Sequence, residues 1–235
     1  LSGETGIGKS RLVYELKEVL KREQNGLPLC LSANANHYDR FAPLSLLRRI
    51  LKAYAKAVAI YCPVNLAGEG GDNLWMEVIE ARVAQLFPES GDLPSIRRVL
   101  RRTDGDGGTD SAGLQQGLED IRALFIREAQ ERPVVLAVDN MRDAEPSSLE
   151  FLDQLAGRTV GSRILFIPVH RPGFDNPWAA RSNFQQITLQ PLSRQASEEM
   201  VRELLGQPPS PELVEAVLSR AQGNPFFIAA RVRGG

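Results

Sequence analysis

A chain of 235 residues with 43% hydrophobic and 24% charged side chains has material for one α/β domain and a small helical appendage. Its formal net charge of −1 excludes a nucleic-acid-binding surface spread over the whole molecule, leaving room only for a local basic patch. No apolar run approaches the roughly 18 residues a membrane span needs, no signal peptide precedes the first motif, and the expected location is the cytoplasm.

The first element is a loop. "GETGIGKS", Gly3 through Ser10, fits G-x-x-x-x-G-K-[ST], the Walker A pattern. Glycines at 3, 6 and 8 let backbone N–H groups wrap phosphate oxygens, with Glu4, Thr5 and Ile7 between them. Lys9 supplies a charge for the β- and γ-phosphates, and the Ser10 hydroxyl is a Mg²⁺ ligand. Arg11 follows in the first turn of the helix. Leu12, Val13, Leu16, Val19 and Leu20 recur at helical spacing until Gly26. The alternative, a capped loop-to-helix turn with no ligand, is weakened by that amphipathic helix.

"LPLCLSA" (27–33) predicts a strand, and 44–60 and 73–87 predict helices joined by the Gly-rich "AGEGGD". Cys30 and Cys62 have no C-x-x-C spacing and read as reduced thiols. The run "IRRVLRR" (96–102) reads as a solvated helix face, and "TDGDGGTD" (103–110) as a flexible loop. A long amphipathic helix is expected at about 112–131.

"PVVLAVDN" (133–140) is an apolar run closing on an acid, as in a strand covered on both faces of a parallel sheet. Asp139 stands where a Walker B carboxylate would join Ser10 on Mg²⁺; the alternative is a strand-end Asp capping a turn. The next position, which in hydrolysing P-loop proteins of the strand-inserted class commonly holds a second acid, is Asn140. An amide orients water but cannot take its proton, so the residues bring turnover, not binding, into question.

A helix follows from Pro146, with Glu145 at its N-cap position. "RILFIPVH" (163–170) predicts a second buried strand ending near Pro168, which has no N–H for a ladder. Arg171 then lies at the same sheet edge as the phosphates, either to meet the γ-phosphate or as a plain surface arginine. "FQQITL" (184–189) predicts another strand, and only helices follow, at about 195–205, 210–222 and 225–232. "GNPFF" (223–227) has a local account: Gly223 ends one helix, Asn224 caps the next, and Pro225 occupies its first turn. Without an [NT]-K-x-D triplet, nothing reads guanine, so ATP or ADP is the expected nucleotide.

Taken in order, "GETGIGKSRLVYEL", "VDNMRDAEPSSLEFLDQLA", "VHRPGF", "LQPLSRQASEEMVRELL" and "AQGNPFFIAARV" resemble the signal-transduction ATPases with numerous domains, the STAND class. The likeness is to the ATPase modules of bacterial LuxR-type regulators and multidomain adenylate or guanylate cyclases. It implies a P-loop NTPase three-layer fold with a mainly parallel five-stranded sheet, its first strand truncated here. Residues 1–190 would form the ATPase core, and 191–235 a helical lid opening a further region.

The resemblance makes Gly8, Lys9 and Ser10 the phosphate and Mg²⁺ residues, Asp139 the Walker B acid, Arg171 a γ-phosphate sensor and Pro225 a residue packed near the adenine. It implies an ATP/ADP switch in a longer chain, with nucleotide-dependent self-association as one output and no direct nucleic-acid or membrane contact. Asn140, Asp143 and Pro168 depart from the family's usual residues. With only Leu1 and Ser2 before the loop, the stretch reads as an excised module of a larger regulator, expected to be destabilised alone.

Overall fold

The computed structural model describes residues 1–22, 28–62, 74–89, 95, 96, 99 and 111–234. The expected loop at 103–110, the Gly-rich turn at 67–72 and most of the Arg run at 96–102 lie outside these residues. Ile96 and Val99, the described members of that run, are buried.

Three parallel strands form the sheet: β1 (Leu29–Asn34), β2 (Val134–Asp139) and β3 (Ile164–Pro168), in the order β1-β2-β3. β2 is central, and five of its six residues are buried, which accounts for its unbroken apolar run. β1 has one covered face, so it alternates: Leu29, Leu31 and Ala33 are buried, while Ser32 and Asn34 are exposed.

Parallel pairing brings the C-terminal ends of the strands to one edge. Asn34 and Asp139 are partners there. Five strands were expected, and three form among the described residues. Isolated parallel bridges join Ser2 to His170 and to Thr188. The predicted strand at 184–189 is thus reduced to its contact at Thr188, with Ile187 half exposed.

Helices α1 (Lys9–Arg22), α2 (Ser45–Val58), α3 (Leu74–Leu86), α4 (Ser111–Glu131) and α5 (Pro146–Gly157) accompany the sheet. The core lies on the Leu29/Leu31 face, where α2 buries Leu46, Leu47, Ile50, Leu51, Tyr54 and Val58. That stripe recurs at three- and four-residue spacing.

Within this layer Glu128 of α4 is fully buried. It accepts from Tyr54 Oη at 2.9 Å and from Arg82 Nε at 3.0 Å and Nη2 at 2.9 Å. A buried carboxylate requires such partners. Burial, with the Glu128 charge beside it, pushes the Tyr54 phenol above its ordinary range.

On the other face lies α1, whose Lys17 Nζ donates to Ser32 Oγ at 3.0 Å. α1 buries none of its side chains, and Leu12 and Val19 remain about half exposed.

The C-terminal helices α6 (Arg194–Leu205), α7 (Pro211–Ala221) and α8 (Pro225–Gly234) share a small core of Val201, Val217, Ala221 and Ile228. Each boundary has its cause. Ser193 caps α6 by accepting from Ala196 N, and Ser210 caps α7 by accepting from Leu213 N. Gly206, at φ 68°, ends α6 in the left-handed region. α7 ends one residue earlier than expected: Gln222 takes the left-handed C-cap, ahead of Gly223.

Candidate functional site

The candidate site lies where the chain enters α1, at the C-terminal edge of the sheet. Buried Leu1 and Ser2 lead into the loop. Gly3, Gly6 and Gly8 have φ of 152°, 79° and 105°, a backbone that side chains other than glycine rarely adopt. Ile7 is buried and its N–H donates to Glu4 O at 3.3 Å, while Glu4 and Thr5 are exposed. Gly8 O accepts the first α-helical bond, from Leu12 N at 2.9 Å. The amides at the start of α1 are thereby left over as donors, the usual anion seat at a helix N-terminus.

Lys9 Nζ folds back to donate to Gly3 O and Glu4 O, both at 2.8 Å. Partial burial lowers its pKa below the usual lysine value; Asp139 opposes that shift, Arg171 adds to it and Glu4 opposes it. Asp139 and Arg171, far apart in sequence, therefore act electrostatically on the loop lysine.

Ser10 Oγ donates to Asp139 Oδ2 at 2.6 Å, which links α1 to the end of β2. Asp139 Oδ1 accepts from Asn140 N at 2.7 Å. A hydroxyl and a carboxylate in contact beside a phosphate seat match the sparse protein ligation of Mg²⁺, which keeps waters and phosphate oxygens for its remaining positions. No cluster of three or more His, Cys, Asp or Glu able to hold a metal by itself occurs among the described residues.

Asn140 has a backbone reason as well as a chemical one. It sits in the left-handed region at φ 55° and ψ 40°, which asparagine tolerates better than most residues. Its Nδ2 donates to Asn34 Oδ1 at 2.9 Å. Asn34, at the end of β1, is a residue the sequence reading missed. The strand register places it opposite Asp139, but no local motif marks it.

Arg171 is exposed just past β3. Neighbouring His170 is buried, with Nδ1 3.0 Å from Arg171 O and no hydrogen-bond partner at Nε2. Burial lowers its pKa; the Arg171 carbonyl opposes, and the amino terminus and Lys9 add to the shift.

Arg11, placed in the site by the sequence, is turned along α1: it pairs with Glu15 and lies over the Tyr14 ring, 5.5 Å from its centroid. Glu145 takes its expected N-cap position ahead of Pro146. Its side chain caps α2 rather than its own helix, with Oε1 accepting from Leu46 N at 3.3 Å and Oε2 from Ser45 Oγ at 3.2 Å. Pro225 opens α8, and the residues beside it touch the loop: Asn224 Nδ2 donates to Thr5 O at 2.9 Å and Phe226 N to Gly6 O at 3.2 Å.

A sequence model of the AAA ATPase domain family matches residues 1–167, the part of the chain that holds the loop, Asp139 and most of β3. The chain is similar to an uncharacterized protein of Rhizobium meliloti (strain 1021), 26% identical over 250 aligned positions that cover 97% of this chain and 22% of that protein. The chain thus spans about a fifth of its relative's length. No helix among the described residues is long and apolar enough to cross a membrane.

Proposed function

The chain belongs to the AAA ATPase domain family, and we propose that it binds ATP or ADP with Mg²⁺ as a switch module within a longer signalling protein. The observation that carries this reading is the convergence of Lys9, Ser10, Asp139 and Arg171 on one sheet edge, through the 2.6 Å Ser10–Asp139 contact and the opposed fields of Asp139, which attracts Lys9, and Arg171, which repels it.

The amides of Gly3 through Ser10 bind the phosphates. Lys9 exchanges the carbonyls of Gly3 and Glu4 for phosphate oxygens, and Ser10 and Asp139 hold Mg²⁺, which supplies charge neutralisation at the phosphates when bound. Arg171 meets the γ-phosphate, and Pro225 packs near the base. Residues 1–190 act as the core and 191–235 as a lid, with the five-stranded sheet of the P-loop fold completed around Ser2. The STAND likeness extends the reading to a bacterial regulator of the LuxR or cyclase kind, with other domains and nucleotide-dependent self-association as its outputs.

A second reading, a nucleotide-holding scaffold that does not hydrolyse, is favoured by one observation. The position after Asp139 carries an amide, and that amide is already bonded to Asn34. No proton acceptor stands there for an attacking water.

Calorimetric titration with Mg-ATP and Mg-ADP, then a single-turnover assay on the same sample, separates the readings. Binding with product appearing supports the hydrolytic switch. Binding without product supports the scaffold, and the absence of binding overturns both.

A further inference from the structure

Gly6 raises a question that the loop pattern leaves open. G-x-x-x-x-G-K-[ST] requires glycine at positions 3 and 8, yet position 6 is also glycine. Part of the answer is its φ of 79°. The rest is space: a Cβ on Gly6 would come within 2.7 Å of Phe226 Cβ and 2.8 Å of Asn224 Oδ1. The loop backbone is approached closely there by residues some 220 positions later in the chain.

That approach is bonded as well as packed. Asn224 Nδ2 donates to Thr5 O at 2.9 Å, and the Phe226 N–H is shared between Gly6 O at 3.2 Å and Asn224 Oδ1 at 3.1 Å. Lys9 takes the carbonyls of Gly3 and Glu4. All four carbonyls from residue 3 to residue 6 are therefore engaged, two from within the loop and two from the C-terminal helices.

A trans peptide points its C=O and N–H in opposite directions, and the described residues contain no cis bond. Holding Thr5 O toward Asn224 turns the Gly6 N–H away from it. Holding Gly6 O does the same for the Ile7 N–H, which closes the turn onto Glu4 O.

We propose that Asn224 is a positioning residue for the phosphate loop: its amide, with the Phe226 N–H, fixes the outward carbonyls of Thr5 and Gly6 and so turns the Gly6 N–H toward phosphate and keeps the Ile7 N–H in the turn that shapes the loop. This inference rests on the nucleotide-binding reading given above. When phosphate draws Lys9 from Gly3 O and Glu4 O, the bonds from Asn224 and Phe226 remain, beside that of Ile7 N to Glu4 O, to hold the loop. The two sites are then linked. Docking of α8 strengthens phosphate binding, and bound phosphate strengthens docking by the same factor.

The test is Asn224→Ser in the full 235-residue chain. Serine keeps an N-cap oxygen for the Phe226 N–H and adds no charge, but it is too short to reach Thr5 O. Two readouts are compared with the unsubstituted chain: hydrogen exchange of residues 3–8 without nucleotide, and Mg-ADP affinity by calorimetry. The expected result is faster exchange in the loop and Mg-ADP binding weakened roughly three- to tenfold, the worth of one hydrogen bond, with the thermal midpoint lowered by no more than about 6 °C.

Loop exchange and affinity equal to those of the unsubstituted chain would overturn the proposal. If the unsubstituted chain does not bind Mg-ADP, the nucleotide reading falls, and the exchange comparison alone decides the positioning role.

Discussion

Asn140 occupies the position where two demands meet. The backbone after Asp139 turns through the left-handed region, which asparagine and aspartate accept at low cost, and the chemistry of water activation asks for an acid. The observed residue meets the first demand only, and its amide is tied to Asn34 Oδ1. An aspartate at 140 would keep the turn, and the Asn34 side-chain amide can rotate to donate to the new carboxylate. The Asn140→Asp variant is therefore expected to fold as the parent does and to raise the single-turnover rate at least roughly tenfold. An unchanged rate in a chain that binds Mg-ATP would contradict the hydrolytic reading and leave the scaffold.

At the scale of elements, α2 and α5 meet N-terminus to N-terminus, and α5 supplies the caps that α2 lacks. Leu44, the N-cap of α2, is in the left-handed region and gives no side-chain cap. Its own N–H goes to Ser147 Oγ at 3.1 Å, that of Leu46 to Glu145, and that of Leu47 to Ser148 Oγ at 3.0 Å; Ser148 Oγ in turn donates to Glu145 Oε1. This knot fixes the loop before α2 against the segment after Asp139, and so steadies the sheet edge on which the site stands. Glu145→Ala would leave the buried Leu46 N–H unpaired and is expected to cost about 1–3 kcal/mol. Denaturant unfolding measures it; a loss below about 0.5 kcal/mol, the range of an ordinary surface substitution, would contradict the account.

Element boundaries were largely legible because each rests on local chemistry. The α2 stripe, the apolar run of β2, Pro146, Ser193, Ser210 and Gly206 carry their signals within a few residues. The partners of those elements were not legible in the same way. Glu145 was readable as a cap by position, but not as the cap of a helix a hundred residues earlier. Asn34 was missed for the same reason, and Asn224, read as the cap of the helix after it, was not readable as a partner of the phosphate loop: each contact is one that only the tertiary fold creates. Within the site, the loop and Asp139 could be named from the sequence because the chemistry demands fixed residue types. Arg11 faces Glu15 and Tyr14 instead, because a charged side chain in the first turn of an exposed helix finds its partner four residues on.

At the scale of the whole molecule, β2 has one strand on each side, and past β3 the pairing thins to single bridges. Beyond β3, among the described residues, lie Ser2 and then Thr188, joined by single bridges, with Ser2 N donating to Ile187 O at 2.9 Å and Leu189 N to Ser2 O at 2.9 Å. Continuous with it is a groove of about 360 Å³, lined by Ile164, Phe166, Pro168, Trp178 and Phe184. Trp178 Nε1 is buried there without a hydrogen-bond partner.

Leu1 already pairs along the rim of the groove, its N donating to Pro168 O at 2.8 Å and its O accepting from His170 N at 3.1 Å. A chain lengthened before Leu1 by four alternating valine and threonine residues continues that pairing. It is expected to raise the melting temperature by at least about 4 °C, on the scale of 2–4 °C per kcal/mol for a domain of this size. An unchanged midpoint in scanning calorimetry would show that the groove does not take a strand.

The central claim, that Gly3 through Ser10 with Asp139 form a nucleotide seat, is tested most directly by calorimetric titration of the chain and its Lys9→Ala variant with Mg-ADP. Saturable one-to-one binding by the chain is expected, with a loss of at least roughly a hundredfold in the variant, because Lys9 is the cation within the proposed phosphate loop. Equal affinity in the two proteins, or no binding by either, would contradict the claim.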